Sequence, residues 1–246
     1  MEDRLDSMTD LLHDIGYSNL FILADSNTHQ HCVPLLPSPL LTHQAIIIPA
    51  GESNKNLEQC QVIWDKLLQH GADRKSILVN VGGGMICDLG GFAASCFQRG
   101  IRFVHLPTSL LAMTDAAIGG KTGVDFKGYK NFIGSFRNPE FILIHRPFLN
   151  TLPEAEWMSG LAEIIKHAII GSTYLWNLID EAQNENDADW EAIIKESVEV
   201  KMKVVEADPE EQGERKILNF GHTVGHALES YYLTKGSPIS HGQAIT

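Results

Sequence analysis

The chain has 246 residues, 43% of them apolar, and a formal charge of −12 from 19 Lys and Arg against 31 Asp and Glu. That apolar content can bury a real core in one large domain or two small ones. The acidic balance excludes nucleic acid and anionic membrane surfaces as the main partners, so any anionic substrate must meet a local cluster of Lys and Arg.

Cys32, Cys60, Cys87 and Cys96 show neither paired metal spacing nor a disulfide framework, and no apolar run approaches the roughly 20 residues of a membrane span. With no signal peptide ahead of the first helix, the expectation is a cytoplasmic protein with reduced thiols and no membrane partner.

Leu5, Met8, Leu11 and Leu12 fall at helical spacing and Gly16 supplies a stop. Asn19–Ala24 is a continuous apolar run ending on Asp25, Ser26 and Asn27, as a buried parallel strand delivers polar residues to its carboxyl end. Ala45–Pro49 repeats the pattern and ends on Gly51-Glu52. Leu57, Cys60, Trp64, Leu67 and Leu68 mark a helix closed by Gly71. Ile77–Val81 is the next strand and Ile101–Leu106 a further one, with Phe141–Ile144 as the last of this half. Strands alternating with helices predict a doubly wound, Rossmann-like parallel α/β domain over residues 1–150.

Gly82-Gly83-Gly84 between a strand and a helix can hold a pyrophosphate on backbone N–H groups, although a tight turn without a ligand would look the same. Asp88 reads either as part of this site or as a helix-dipole partner in the first turn, and Asp25 is an acceptor for ribose hydroxyls. After Pro107-Thr108-Ser109, the segment Asp115–Gly123 carries Gly-Gly-Lys-Thr. It is no P-loop, because Thr114 stands where that motif needs its first glycine. Lys121 remains a point charge for phosphate.

From Leu152-Pro153 the texture turns helical, predicting a mostly α-helical domain over residues 151–246. Glu163 and Lys166 sit three apart on an apolar helix, where a solvated ion pair is the ordinary expectation and the apolar neighbours argue for burial. Trp190, Ile193, Ile194, Val198, Val204 and Val205 trace a long helix with Lys201 on or beside its stripe. The stretch Asn219–Glu229 then sets His222 and His226 four apart, so both project from one helix face. His241 follows after a turn-rich segment. Three imidazoles within twenty residues point to a divalent metal such as zinc, with a position left for water or substrate.

These pieces together resemble the 3-dehydroquinate synthase family, NAD- and zinc-dependent cyclases of the shikimate pathway of aromatic amino-acid biosynthesis. The resemblance rests on GGGMICDLGGF, FQRG, PTSLL, DAAIGGKTGVDF, GLAEIIKH, LNFGHTVGHALE and the final HG. It implies a metal, zinc or alternatively cobalt, held by Glu163, His222 and His241, which moves His226 to the substrate's phosphate. It implies NAD binding by Asp25, Asn27, Glu52, Lys55, Gly83, Gly84, Asp88, Thr108, Ser109 and Lys130. The implied substrate set is Asp115, Lys121, Asn131, Lys166, Lys201, Arg215 and Asn219, with Arg99 reaching the neighbouring subunit of a homodimer. Lys121, Asn131 and His226 would hold phosphate, and Lys201 and Arg215 the carboxylate of a phosphorylated sugar acid, 3-deoxy-D-arabino-heptulosonate 7-phosphate. The implied reaction oxidises a carbinol with NAD, eliminates phosphate, returns the hydride and closes the ring, so NAD is regenerated.

The resemblance also implies departures. Family members continue past Thr246 through further helices, so a truncated C-terminal domain is expected, and the N-terminus is short of a leading hairpin. Ser109 replaces a more usual threonine and Gln243 a glutamate. The rival expectations are another sugar-phosphate cyclase, a metal-dependent polyol dehydrogenase that would accumulate NADH, and a non-catalytic NAD-binding fragment.

Overall fold

Four of the apolar runs become one parallel sheet, three of them as strands buried on both faces that need no polar alternation and one as an edge strand that leaves Ile47 exposed. The computed structural model describes residues 5, 7–181, 188–235, 242 and 244. The strands are β1 (Leu20–Asp25), β2 (Gln44–Ile48), β3 (Ile77–Gly82) and β4 (Arg102–Pro107), in the order β2-β1-β3-β4. Ile22 stands opposite Val79, and Val79 opposite Val104. The helices of this region are α1 (Met8–Ile15), α2 (Ser26–His31), α3 (Leu57–Gln69) and α4 (Gly84–Cys96). Ile63 and Leu67 of α3 and Ile86 and Leu89 of α4 join Leu23, Ile46 and Leu78 of the sheet in one buried cluster. Leu11 and Leu68, counted on the apolar stripes of α1 and α3, are exposed instead.

The expected strand Phe141–Ile144 makes only an isolated parallel bridge, Ile142 to His105. Pro139 and Pro147 bracket it and cannot donate to a ladder, leaving too short a run to extend the sheet. An antiparallel hairpin stands where no strands were expected: β5 (Lys121–Phe126) and β6 (Tyr129–Phe136). Its two-residue turn has Lys127 at φ 50° and Gly128 at φ 84°, the left-handed pair that matches strand twist.

By its contacts the chain divides into two compact units, Met1–Thr108 with Gly120–Thr151, and Ser109–Gly119 with Leu152–Thr246. The division at Thr151 lies beside the expected boundary, but Ser109–Gly119 groups with the helical unit. The helices there are α5 (Glu154–Gly171), α6 (Thr173–Glu181), α7 (Trp190–Ala207) and α8 (His222–Thr234). Gly160 explains part of the grouping: a Cβ there would lie 2.5 Å from Leu110 Cβ and 2.6 Å from Leu111 N, so only glycine admits the approach of α5. Ala112–Ala116 forms one turn of π-helix, a distortion often found at functional sites, and it carries Asp115.

Candidate active site

In the α/β unit the polar residues gather where β1, β3 and β4 end. Asp25 closes β1 and caps α2: its Oδ1 accepts from Asn27 N and Thr28 N, both at 2.9 Å, while Thr28 Oγ1 accepts from Asp25 N. Gly83 leads into α4, whose first N–H groups have no partners within the helix, the arrangement that suits an anion. Gly82 is required beside it, since a Cβ would meet Ile86 Cβ at 2.4 Å. Thr108 is buried, and its N–H donates to Gly82 O.

Asp88 lies one turn inside α4 rather than in its first turn, so the helix-dipole expectation gives way to an ion pair. Lys55 Nζ stands 2.5 Å from Asp88 Oδ2 and 3.6 Å from Glu52 Oε1. Burial alone would lower the Lys55 pKa, but Asp88 and Glu52 outweigh it and hold the ammonium above its ordinary value. Asn27, Glu52, Lys121, Lys130 and Asn131 are exposed. Asn131 sits at φ 50° with its N–H bonded to Asp125 Oδ1 at 2.8 Å, which fixes a bulged position in the hairpin. Arg99 is also exposed, and it follows Gln98 in left-handed backbone, φ 70° after φ 49°, a conformation that non-glycine residues adopt at a cost.

In the helical unit four site charges are buried beside a partly exposed Asp115. Glu163 and Lys166 on α5 are 0% and 6% exposed, Lys201 on α7 6% and Arg215 2%. The Glu163–Lys166 pair is therefore a buried contact, not a solvated one. Lys201 Nζ donates to Asp115 Oδ1 at 2.7 Å, with Lys166 Nζ 3.9 Å from the same oxygen. Burial would raise the Asp115 pKa, but Lys201 and Lys166 hold it well below the usual carboxylate range. Lys201 is pushed down by burial, against the pull of Asp115.

Arg215 is positioned by backbone: Nη2 donates one N–H to Gly119 O at 3.0 Å and Nη1 one to Pro209 O. Gly119 is at φ 99°, and a Cβ there would meet Arg215 Nη2 at 2.4 Å, so the glycine is obligatory. Ser109 is buried, and its hydroxyl accepts from Ala112 N, capping the turn that carries Asp115. Asn219 is exposed and bonds Glu211 Oε1. With Glu211, Lys216, Phe220 and Thr223 it lines an open depression.

Two groups of ligand atoms converge in this unit. His222 Nδ1 lies 3.2 Å from Phe220 O, and a carbonyl only accepts, so Nδ1 carries a proton and a neutral ring turns its Nε2 lone pair outward. That Nε2 stands 3.5 Å from Glu163 Oε1. Two ligands about 2.1 Å from a tetrahedral metal lie roughly 3.4 Å apart, so this edge fits zinc, and the carbonyl contact is the kind that orients a metal-bound imidazole. Asp115, Glu163 and His167 also bring ligand atoms within 4.8 Å of one another. There, however, the two lysine ammonium groups already balance the two carboxylates. His226 lies one turn beyond His222 in α8, and His241 lies outside the described residues.

Comparison with known proteins decides the family. The description "3-dehydroquinate synthase N-terminal" matches residues 45–159 and "3-dehydroquinate synthase C-terminal" residues 160–246. The chain belongs to the 3-dehydroquinate synthase family. A 3-dehydroquinate synthase of Parabacteroides distasonis is 44% identical over 99% of this chain, and one of Pyrococcus abyssi 49% identical over 82%. The chain spans 70% of the first relative's length and 59% of the second's. Among solved structures, a 2-deoxy-scyllo-inosose synthase with carbaglucose-6-phosphate, NAD+ and Co2+ is 26% identical with a TM-score of 0.87, covering 98% of this chain and 68% of its own. A 2-epi-5-epi-valiolone synthase of Streptomyces hygroscopicus with NAD+ and Zn2+ is 27% identical with a TM-score of 0.85, covering 99% and 70%. A probable glycerol dehydrogenase of Sinorhizobium meliloti, 16% identical with a TM-score of 0.60 over 98% of this chain and 71% of its own, shares the fold alone.

Sequence reasoning passed over His167 and Ser197, both fully buried in this unit. The signal was available: His167 falls four residues after Glu163 on α5, and Ser197 four before Lys201 on α7, so each shares a helix face with a charged site residue.

Proposed function

We propose that this chain carries the chemistry of a 3-dehydroquinate synthase, a phosphate-eliminating carbon–oxygen lyase. Its substrate would be 3-deoxy-D-arabino-heptulosonate 7-phosphate, its products 3-dehydroquinate and inorganic phosphate, and its setting a cytoplasmic homodimer. The observation that carries this is the cluster of buried Glu163, Lys166 and Lys201 around the partly exposed Asp115, which concentrates cationic and acid–base groups inside a protein of net charge −12. Membership of the family and its cyclase neighbours support the cofactor assignment.

When bound, NAD would supply a reversible hydride acceptor and zinc or cobalt a Lewis acid for vicinal hydroxyls. Glu163, His222 and His241 would hold the metal. Gly83 and Gly84 would meet the pyrophosphate, with Asp25, Asn27, Glu52, Lys55, Asp88, Thr108, Ser109 and Lys130 around the rest of the nucleotide. Lys201 and Arg215 would face the substrate carboxylate with charge-assisted hydrogen bonds, and Lys121, Asn131 and His226 its phosphate. Asp115, Lys166 and Asn219 would complete the substrate set, and Arg99 would reach the partner subunit's site.

The test is to load the chain with zinc and NAD, add the substrate, and follow inorganic phosphate together with NADH absorbance. Phosphate release without NADH build-up is expected. Accumulating NADH would mean a polyol dehydrogenase, and silence with NAD still bound a non-catalytic fragment. Glu163→Ala or His222→Ala should each lose zinc by metal analysis; undiminished zinc in both would overturn the ligand set.

A further inference from the structure

His167 has no part in the roles assigned above, yet its imidazole spans two elements of the helical unit. Nδ1 lies 2.8 Å from Ser197 Oγ, and Nε2 lies 3.4 Å from Asp115 Oδ1, the same oxygen that accepts from Lys201. A buried polar ring costs free energy unless its nitrogens are satisfied, so an apolar residue would serve packing better. Facing a carboxylate, Nε2 must carry the proton, because its lone pair would repel the anion. A neutral ring then uses Nδ1 to accept the Ser197 hydroxyl proton, so the carboxylate selects the tautomer and the hydroxyl anchors the ring.

We propose that Ser197 and His167 form a positioning relay that fixes the Asp115 carboxylate and, through it, the Lys201 ammonium that meets the substrate. This rests on the assignment of Asp115 and Lys201 as substrate-facing groups. The π-helical turn under Asp115 and the four-carbon stem of Lys201 leave both heads needing an outside reference, and two rigid helices, α5 and α7, supply it. At 3.4 Å the Nε2 contact exceeds the 2.7–3.2 Å of an ordinary N–H···O bond. A shift of about half an ångström would make it direct, as site hydrogen bonds often tighten when substrate binds.

The relay predicts an asymmetry between two amide replacements. The Gln side-chain nitrogen reaches the place of Nε2, whereas that of Asn reaches only that of Nδ1. In the zinc- and NAD-loaded protein, His167→Phe should lower kcat for phosphate release about 10- to 100-fold, the usual loss when an orienting partner is removed. Its Kd for NAD and its circular dichroism should stay as in the parent protein. His167→Gln should recover most of the loss and His167→Asn should not. Ser197→Ala should cost less, and nothing further in the His167→Phe background, because the two act as one unit. Parent-level kcat in a folded His167→Phe, equal rates for the Gln and Asn variants, or independent losses from Ser197→Ala would each overturn the relay. If the parent protein releases no phosphate, the proposed function fails separately. Long-range 1H–15N spectra of the His167 ring then decide the relay: an Nε2–H tautomer supports it, and a ring protonated at Nδ1 alone overturns it.

Discussion

The Lys55–Asp88 pair of the α/β unit and the Lys201–Asp115 pair of the helical unit have nearly the same separation, 2.5 and 2.7 Å, and both lysines are buried. Their ammonium groups nevertheless shift in opposite directions. Around Lys55 the anions Asp88, Glu52 and Asp125 outweigh burial, whereas burial prevails at Lys201, where Asp115 and Glu163 are offset by the neighbouring Lys166. Distance to a partner does not decide what a buried charge contributes. The balance of neighbouring charges against lost hydration does.

If the Lys55 pair is the structural one, breaking it should have the larger effect on stability. Lys55→Met leaves the Asp88 carboxylate without its closest cation and should cost about 3–5 kcal/mol in urea unfolding. Because the folded-state pKa of Lys55 lies above the ordinary 10.5, its contribution is present below that pH and lost as pH rises through the higher folded value. The stability deficit of Lys55→Met should therefore shrink in strong alkali, and a deficit independent of pH would refute the assignment.

Lys201→Met should show the reverse balance. Its melting temperature should stay closer to that of the parent protein than Lys55→Met does, while kcat/KM falls on the order of 100-fold, about 2.7 kcal/mol of barrier. Equal damage to stability from the two substitutions would remove the distinction between the pairs.

A third contrast lies within the sheet. His105 is buried on β4, where its Nδ1 accepts from Asn80 Nδ2 at 3.2 Å, and burial pushes its pKa down from 6.5 to about 3. The unfolded ring binds a proton that the folded one refuses, so stability is present above 6.5 and lost as pH falls toward 3. Between 6.5 and pH 5 the loss should be about 1–2 kcal/mol, and urea titrations at the two pH values should find it largely absent in His105→Gln. The smallest effect belongs to Asp25→Ala, which removes the cap of α2 and should cost about 1 kcal/mol without NAD, alongside weaker NAD binding by calorimetry.

The α/β unit was legible because its strands are mostly apolar runs that end on polar or glycine residues, as Asp25 ends β1 and Gly83 follows β3. The hairpin was missed because its signal, Lys127-Gly128, is weaker than the Asn-Gly pairs that mark such turns, and both strands are rich in polar residues and glycine. Phe141–Ile144 had the composition of a strand but no room for one. In the helical unit the two histidines of α8 declared themselves by their spacing, while His167 and Ser197 did not, since a histidine or serine four residues from a charge is common on any helix.

By itself the sequence determined most of the local structure and the family: the alternation of apolar runs with helices and the four-residue spacing of His222 and His226 follow from strand and helix periods, and the glycine-rich turn from its composition. Tertiary structure decided which charges share a site. Asp115, Lys166 and Lys201 are separated by tens of residues and occupy three elements, and no spacing rule links them. Only the packing of the π-helical turn with α5 and α7 brings both ammonium groups within 4 Å of the Asp115 carboxylate, where the lysines hold Asp115 down and burial holds Lys201 down.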